Sequence, residues 1–289
     1  MSHDFAFLNQ QGFIPGPQET EESFYARVDF CQDLLKHLTH EANAELPFEA
    51  NDLASKNSLD EAFSLTDALY GIAPKWVPLF FSNYQLTPWH GGCAWIFQLN
   101  EHTPDAAFLQ LRNHFRDSPS YLGIYQRKEL IAHELAHVGR LMLHSPQFEE
   151  YFAYQTSTHA WRRWLGPIVQ SSTESLLFIL LLGFILIADL AILGSGNYSF
   201  IQANNWLKLL PLFLILLAFI RLTIRHFTLR RCLKQLKGLT SWPYHLLYRL
   251  DDQEIKQFAR WTPSEIKKFI ENASQKAFRW QFLKKLYLY

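Results

Sequence analysis

Five residues near the middle of the chain, His133-Glu134-Leu135-Ala136-His137, match the pattern H-E-x-x-H. Residues four apart project from the same face of a helix, about 6 Å apart, so two imidazoles placed this way can bind one zinc ion. A glutamate beside the first histidine can take a proton from water at such an ion. The pattern predicts a hydrolytic zinc site, with His133 and His137 as ligands and Glu134 as the general base.

The residues around the motif are typical of a helix hairpin. An apolar stripe at helical spacing comprises Ile131, Leu135, Val138 and Met142, and the opposite face carries His133, His137, Arg140 and His144. Ser145 and Pro146 suit the cap and the first position of a following helix. The motif therefore lies on the polar side of an amphipathic helix that is followed by a second helix.

A hydrolytic zinc site needs a third protein ligand. His144 lies seven residues past His137, about 10 Å along a helix, so it cannot reach an ion held by both motif histidines. Glu149 and Glu150 lie on the returning arm of the hairpin, at a depth that approaches the level of His137. Either carboxylate can also favour a helix N-terminus without binding metal. The spacing leaves the two glutamates open, and we prefer Glu150.

The motif followed by Glu150-Tyr151-Phe152-Ala153 resembles the gluzincin metallopeptidases, most closely the membrane-alanyl-aminopeptidase-like branch. There a glutamate in an Asn-Glu-Gly-Phe-Ala element is the third zinc ligand, so the resemblance implies Glu150. It also implies a zincin-like domain that cleaves peptide bonds. The spacing between His137 and Glu150 is shorter than in that branch, and the Gly-x-Met-Glu-Asn element is absent, so aminopeptidase specificity is not implied.

An oxyanion donor is the remaining catalytic role. Tyr154, one turn past Glu150, is the preferred residue, with Tyr151, His144 and Arg140 as alternatives. Before the motif, residues 77–81 and 93–99 predict two strands, and residues 106–115 predict a helix. By analogy with gluzincins, the second strand would line the cleft and pair with an extended peptide, and an ordinary buried hairpin is the alternative.

Composition limits the other classes of function. The chain has 27 basic and 27 acidic residues, a balance that argues against a general nucleic-acid binder. Its three cysteines are far apart and form no C-x-x-C pair, so we expect neither disulfides nor a cysteine zinc site, and a reducing compartment fits best.

Two apolar runs, residues 176–193 and 207–224, are each long enough to cross a bilayer. Basic residues flank the pair, namely Arg162, Arg163, Arg221, Arg225, Arg230, Arg231, Lys234 and Lys237, whereas the link between the runs is uncharged. The positive-inside tendency then places both flanks, the motif and both termini in the cytoplasm, with a bacterial inner membrane as the expected location. We expect Asp189 in the first run to face the membrane interface and not to form a relay or transport site.

The predicted fold is α+β and mainly helical. Residues 1–160 form a zincin-like domain with a small β element, residues 161–175 a juxtamembrane linker, residues 176–224 a transmembrane helix hairpin, and residues 225–289 a helical tail. Capping patterns at Asp251 and at Thr262 predict two helices in the tail, which we expect to pack on the domain. Arg127, Lys128 and Glu129 make the motif helix too polar for an intramembrane protease.

These observations predict a membrane-anchored zinc metallopeptidase. Its partners would be the lipid bilayer and peptide or protein substrates, including membrane proteins or their cytoplasmic tails, and no nucleic acid. The main alternative is a non-catalytic membrane-anchored scaffold or assembly factor with a structural or decayed motif. A transporter is disfavoured because two spans offer no polar pathway.

Overall fold

A computed structural model describes residues 4–40, 49–99, 101, 103–196 and 198–288. The described part is mainly helical with a small sheet. Within it, four α-helices precede the motif, namely α1 (Phe5–Gln10), α2 (Glu21–Gln32), α3 (Leu34–His40) and α4 (Asp60–Tyr70), and α5 (Arg127–Val138) contains it. Those after it are α6 (Pro146–Gln155), α7 (Ala160–Leu165), α8 (Ser172–Ser195), α9 (Ile201–Leu207), α10 (Leu209–Leu236), α11 (Pro243–Tyr248), α12 (Asp252–Phe258), α13 (Pro263–Ala273) and α14 (Phe278–Tyr287).

The strands are β1 (Leu79–Phe81), β2 (Gly92–Phe97), β3 (Ala106–Leu111), β4 (Ser120–Tyr121) and β5 (Tyr125–Gln126). The first three form a sheet in the order β1-β3-β2, and β4 and β5 form a short hairpin. Strand β3 is parallel to β1 and antiparallel to β2, which leaves β2 as an edge. The strands expected over residues 77–81 and 93–99 are therefore present, with slightly different ends.

The helix predicted for residues 106–115 is wrong. Residues Ala106–Leu111 form the central strand, and a 3₁₀ turn follows at Asn113–Arg116. Every residue of β3 is buried, with Ala106 and Phe108 in one core cluster and Leu109 in another. A strand that is buried on both faces has apolar residues in succession. Its sequence then lacks the alternation of apolar and polar residues that distinguishes a strand from a helix.

The motif helix α5 packs on this sheet. Ile131, Leu135 and Val138 are completely or almost completely buried against residues of β1 and β3, as their spacing predicts. The helix ends at Val138, earlier than the stripe to Met142 indicates, with Gly139 at its C-cap. Gly139 lies against the Tyr248 hydroxyl, which leaves no room for a Cβ at this position. The turn before α6 then passes through His144, whose φ is +47°.

The C-terminal tail belongs to the main core. Leu229 and Cys232 of α10 are buried together with residues of α1, α2, α6, α11, α12 and α14. Tyr248 also donates a hydrogen bond of 2.7 Å to the carbonyl of Ala136 in α5. The capping boxes predicted at Asp251 and Thr262 are both present. The tail therefore packs on the region that carries the motif.

Within the described residues, two helices are long and apolar enough to cross a membrane, Thr173–Ser195 and Asn204–Leu236. In the most apolar 18-residue window of each helix, few residues are buried, at 6% and 11%. The later part of the second helix, with Leu229 and Cys232, belongs to the core described above. Both contain the apolar runs expected from the sequence, and the second continues beyond its predicted end. Glu174 and Arg221 form an ion pair of 2.6 Å between them, and Asp189 lies 2.8 Å from the Lys208 ammonium.

Candidate metal centre

The two motif histidines face each other from successive turns of α5. Their Nε2 atoms are 3.4 Å apart. Two nitrogen ligands of a tetrahedral zinc ion at about 2.0–2.1 Å lie about 3.4 Å from each other, so the pair already has the spacing that such an ion requires. Both side chains are largely buried, at 18% and 16% exposure.

Glu150 completes the cluster from α6. Its two carboxylate oxygens lie 3.7 Å from Nε2 of His133 and 3.6 Å from Nε2 of His137. One ligand atom from each residue lies within 4.8 Å of the other two, and this is the group of metal-type ligands found among the described residues. Two imidazoles and a carboxylate fit zinc, and they leave a fourth position open.

Glu149, the other glutamate that the spacing left open, lies behind the ring of His137. Its carboxylate is 3.2 Å from Nδ1 of His137 and is thus on the far side of the imidazole from the cluster. His133 is held differently, through a hydrogen bond with the backbone of Ala153. Glu149 therefore occupies Nδ1 of His137 and leaves Nε2 of that ring for a metal, an arrangement that raises ligand basicity and fixes the ring orientation.

The charges of the pair differ. Burial lowers the pKa of His133 well below its usual value, and the nearby His137 lowers it further. Burial also lowers the pKa of His137, but the hydrogen bond that this ring donates to Glu149 and the charge of Glu150 outweigh burial and raise the net pKa to about 9. In the absence of metal, the His133 ring is therefore neutral at neutral pH, and the His137 ring is a positively charged imidazolium.

The side chain of Glu134 extends from helix α5 to the edge strand β2. Its Oε2 accepts a hydrogen bond of 2.9 Å from the backbone nitrogen of Ala94 in β2. Burial raises the pKa of Glu134 to about 7, against the opposing effect of His137. The N–H of Ala94 points to Glu134 and away from β3, so the free edge of β2 faces the site. The strand that the sequence placed at the cleft therefore does adjoin the general-base candidate.

A cavity of about 300 Å³ opens in front of these residues. His133, Glu134, Glu150 and Tyr154 all contribute to its wall. Tyr154 places its ring 4.8 Å from the ring of His133, and a Cβ at Gly166 would overlap the tyrosine ring. Burial raises the pKa of the Tyr154 phenol to about 12, so it remains a proton donor at neutral pH.

The three alternatives to Tyr154 lie elsewhere. The Tyr151 ring packs 5.2 Å from His226 of α10. Arg140 is buried, and its guanidinium donates to the carbonyls of Tyr248 and Leu250. His144 is at the exposed turn of the hairpin. Of the four candidates, Tyr154 is the one that the cavity contains.

The sequence pattern did not identify two further residues of the cavity wall, Glu129 and Arg162. The Glu129 carboxylate accepts hydrogen bonds from Ser157 and Thr158 and lies 3.5 Å from the Arg162 guanidinium. Burial raises the pKa of Glu129, but the hydrogen bonds from Thr158 and Ser157 outweigh it and the net pKa is lowered. Through these bonds, Glu129 holds the segment after α6 in place. Its partners are distant in the sequence, so only the folded structure identifies this role.

A scan of the chain against protein-family models finds no match, and searches of the curated proteins and of the solved structures find none either. The fit of this cluster to a metal ion therefore rests on its own donor set.

Proposed function

We propose that the protein is a membrane-anchored zinc metallopeptidase of the gluzincin type. The observation that supports this most strongly is the convergence of Nε2 of His133, Nε2 of His137 and the carboxylate of Glu150 next to the buried Glu134. Helices α5 and α6 and the sheet would then form the zincin-like domain. When bound to this donor set, zinc supplies Lewis-acid chemistry that lowers the pKa of water and polarises a carbonyl.

Glu134 acts on the proton. Its carboxylate accepts a proton from the attacking water and passes it to the leaving amine, and a pKa near neutrality suits both transfers. Tyr154 donates a hydrogen bond to the oxyanion that forms on the peptide carbonyl. The edge of β2 that faces the site holds the extended substrate, because residues two apart present their backbone groups along the same edge. The N–H of Ala94 is already bonded to Glu134, so the carbonyl of Ala94 and the backbone groups of Ile96 are the ones that pair with the substrate.

Helices α8 and α10 anchor the domain in a bilayer, with both termini on the cytoplasmic side as the basic flanks favour. The substrates are peptides or proteins, including membrane proteins and their cytoplasmic tails. The test is hydrolysis of an internally quenched peptide pool by zinc-loaded protein in vesicles, with wild type beside Glu134→Gln. Activity that Glu134→Gln lacks supports a peptidase, whereas equal behaviour of the two proteins favours the scaffold alternative.

A further inference from the structure

Five large apolar side chains beside the cavity are exposed. They are Leu122 and Ile124 at 59% each, Trp161 at 63%, Trp164 at 40% and Val169 at 47%, and together we name them the apolar rim. Single exposed apolar residues are common, but a group of this size beside a cavity marks a contact surface.

Leu122 is the most unusual member of the rim. It lies at the tip of the β4–β5 hairpin with φ +53°, followed by Gly123 with φ +68°. Leucine rarely adopts this left-handed conformation, and glycine or asparagine would form the same turn at lower conformational cost. Neither the turn nor the core explains a leucine here, so the side chain serves a contact outside the folded chain.

The rim is continuous with the apolar helices. The Arg162 guanidinium donates a hydrogen bond of 2.9 Å to the carbonyl of Ile124, and this bond ties the hairpin tip to α7. The Trp164 ring lies 6.4 Å from the ring of Phe219 in α10. Arg221 of α10 donates to the carbonyl of Ile168, just before α8 begins. The rim therefore lies at the level where both long helices meet the domain.

The cavity reaches the same level. Ser171 and Ser175, at the start of α8, line the cavity that also contains His133 and Glu134. Tryptophan is enriched at membrane interfaces because its ring is apolar and its N–H is polar. A bilayer is therefore the partner that fits a rim of this composition at this place.

We propose that the apolar rim inserts into the interfacial layer of the bilayer and holds the mouth of the cavity at the membrane surface. The site would then take peptide segments within a few residues of a membrane span. This substrate class rests on the proposed peptidase function, whereas the lipid contact does not.

The lipid contact is tested by placing an environment-sensitive fluorophore on Leu122→Cys in a Cys93→Ala background, where Cys31 and Cys232 are buried. The control is Ser264→Cys, an exposed position next to Pro263, which lies against Gly238 beyond the distal end of α10. In vesicles of brominated phosphatidylcholine, we expect about a twofold loss of emission at position 122 and little loss at position 264. Equal emission at position 122 in brominated and unbrominated vesicles would overturn the proposal.

The substrate class is tested with two peptides of one sequence, one soluble and one tethered directly after a membrane span. In the double variant Leu122→Asp, Ile124→Asp, cleavage of the tethered peptide relative to the soluble one should fall about tenfold. The variant Ser264→Asp should keep the wild-type ratio. An unchanged ratio in the double variant overturns the substrate class. If wild type cleaves neither peptide, the peptidase function and this substrate class fail together, and the quenching result still decides the lipid contact.

Discussion

The carboxylate of Glu149 lies 3.2 Å from Nδ1 of His137, while Nε2 of the same ring lies 3.4 Å from Nε2 of His133. Two consecutive glutamates of α6 thus meet the histidines in different ways. Glu150 lies beside both Nε2 atoms, and Glu149 lies behind one ring. The hydrogen bond to Nδ1 fixes the tautomer that directs the Nε2 lone pair at the metal position.

Glu149→Gln should weaken zinc binding about 10- to 100-fold, because an amide orients the ring but does not raise its basicity as a carboxylate does. Competition titration with a chelator measures this change. Gln147→Ala, an exposed position on the same helix, should keep the wild-type affinity. Wild-type affinity in Glu149→Gln would show that the carboxylate does not support the ligand.

Zinc binding should release a proton. In the absence of metal, the pKa of His137 is about 9, so this imidazole is protonated at neutral pH and zinc must displace the proton. Apparent affinity should therefore rise about tenfold per pH unit from about pH 7 to about pH 9 and then level off. Calorimetric titration in two buffers of different ionisation enthalpy counts the protons. An affinity that does not change over this range would contradict the assignment.

Tyr154→Phe should lower turnover about 10- to 100-fold through kcat, with KM and metal content close to wild type, since only the oxyanion contact is removed. Tyr151→Phe is the matched control, because Tyr151 lies one turn earlier and packs on His226 outside the cavity. Steady-state kinetics on a quenched peptide distinguish the two variants. Equal losses in both would point to a packing effect.

Tyr248→Phe should destabilise the domain by about 1–3 kcal/mol, because the Ala136 carbonyl near the end of α5 would lose a buried hydrogen-bond donor. Chemical denaturation in detergent measures the change in the free energy of unfolding. Tyr84→Phe, at an exposed tyrosine, should have a smaller effect. No change in Tyr248→Phe would show that the tail does not support the motif helix.

The sequence predicts the helices whose limits depend on neighbouring residues in the chain. The α5–α6 hairpin follows from apolar spacing and from Pro146 at the first position of α6, and the two tail helices follow from their capping residues. The long apolar helices follow from composition alone. The motif predicts that His133 and His137 share one helix face, since residues four apart must do so.

The rest depends on tertiary contacts. Both faces of β3 are buried, so its sequence does not show the alternation of apolar and polar residues that would predict a strand. Neighbouring glutamates in a helix differ by about 100° in direction, so spacing alone cannot assign Glu149 behind a ring and Glu150 beside the metal position. Glu129 contacts Arg162, which is far from it in the chain and which the sequence pattern assigned to a membrane flank.

The most direct test is the metal content of detergent-purified protein, wild type beside His133→Ala and Glu150→Ala. Each variant removes one donor and leaves the other two, so a three-ligand site should lose its ion in both. We expect one zinc per chain in wild type and a large loss in each variant. Wild type without metal, or variants that retain it in full, would contradict the zinc centre.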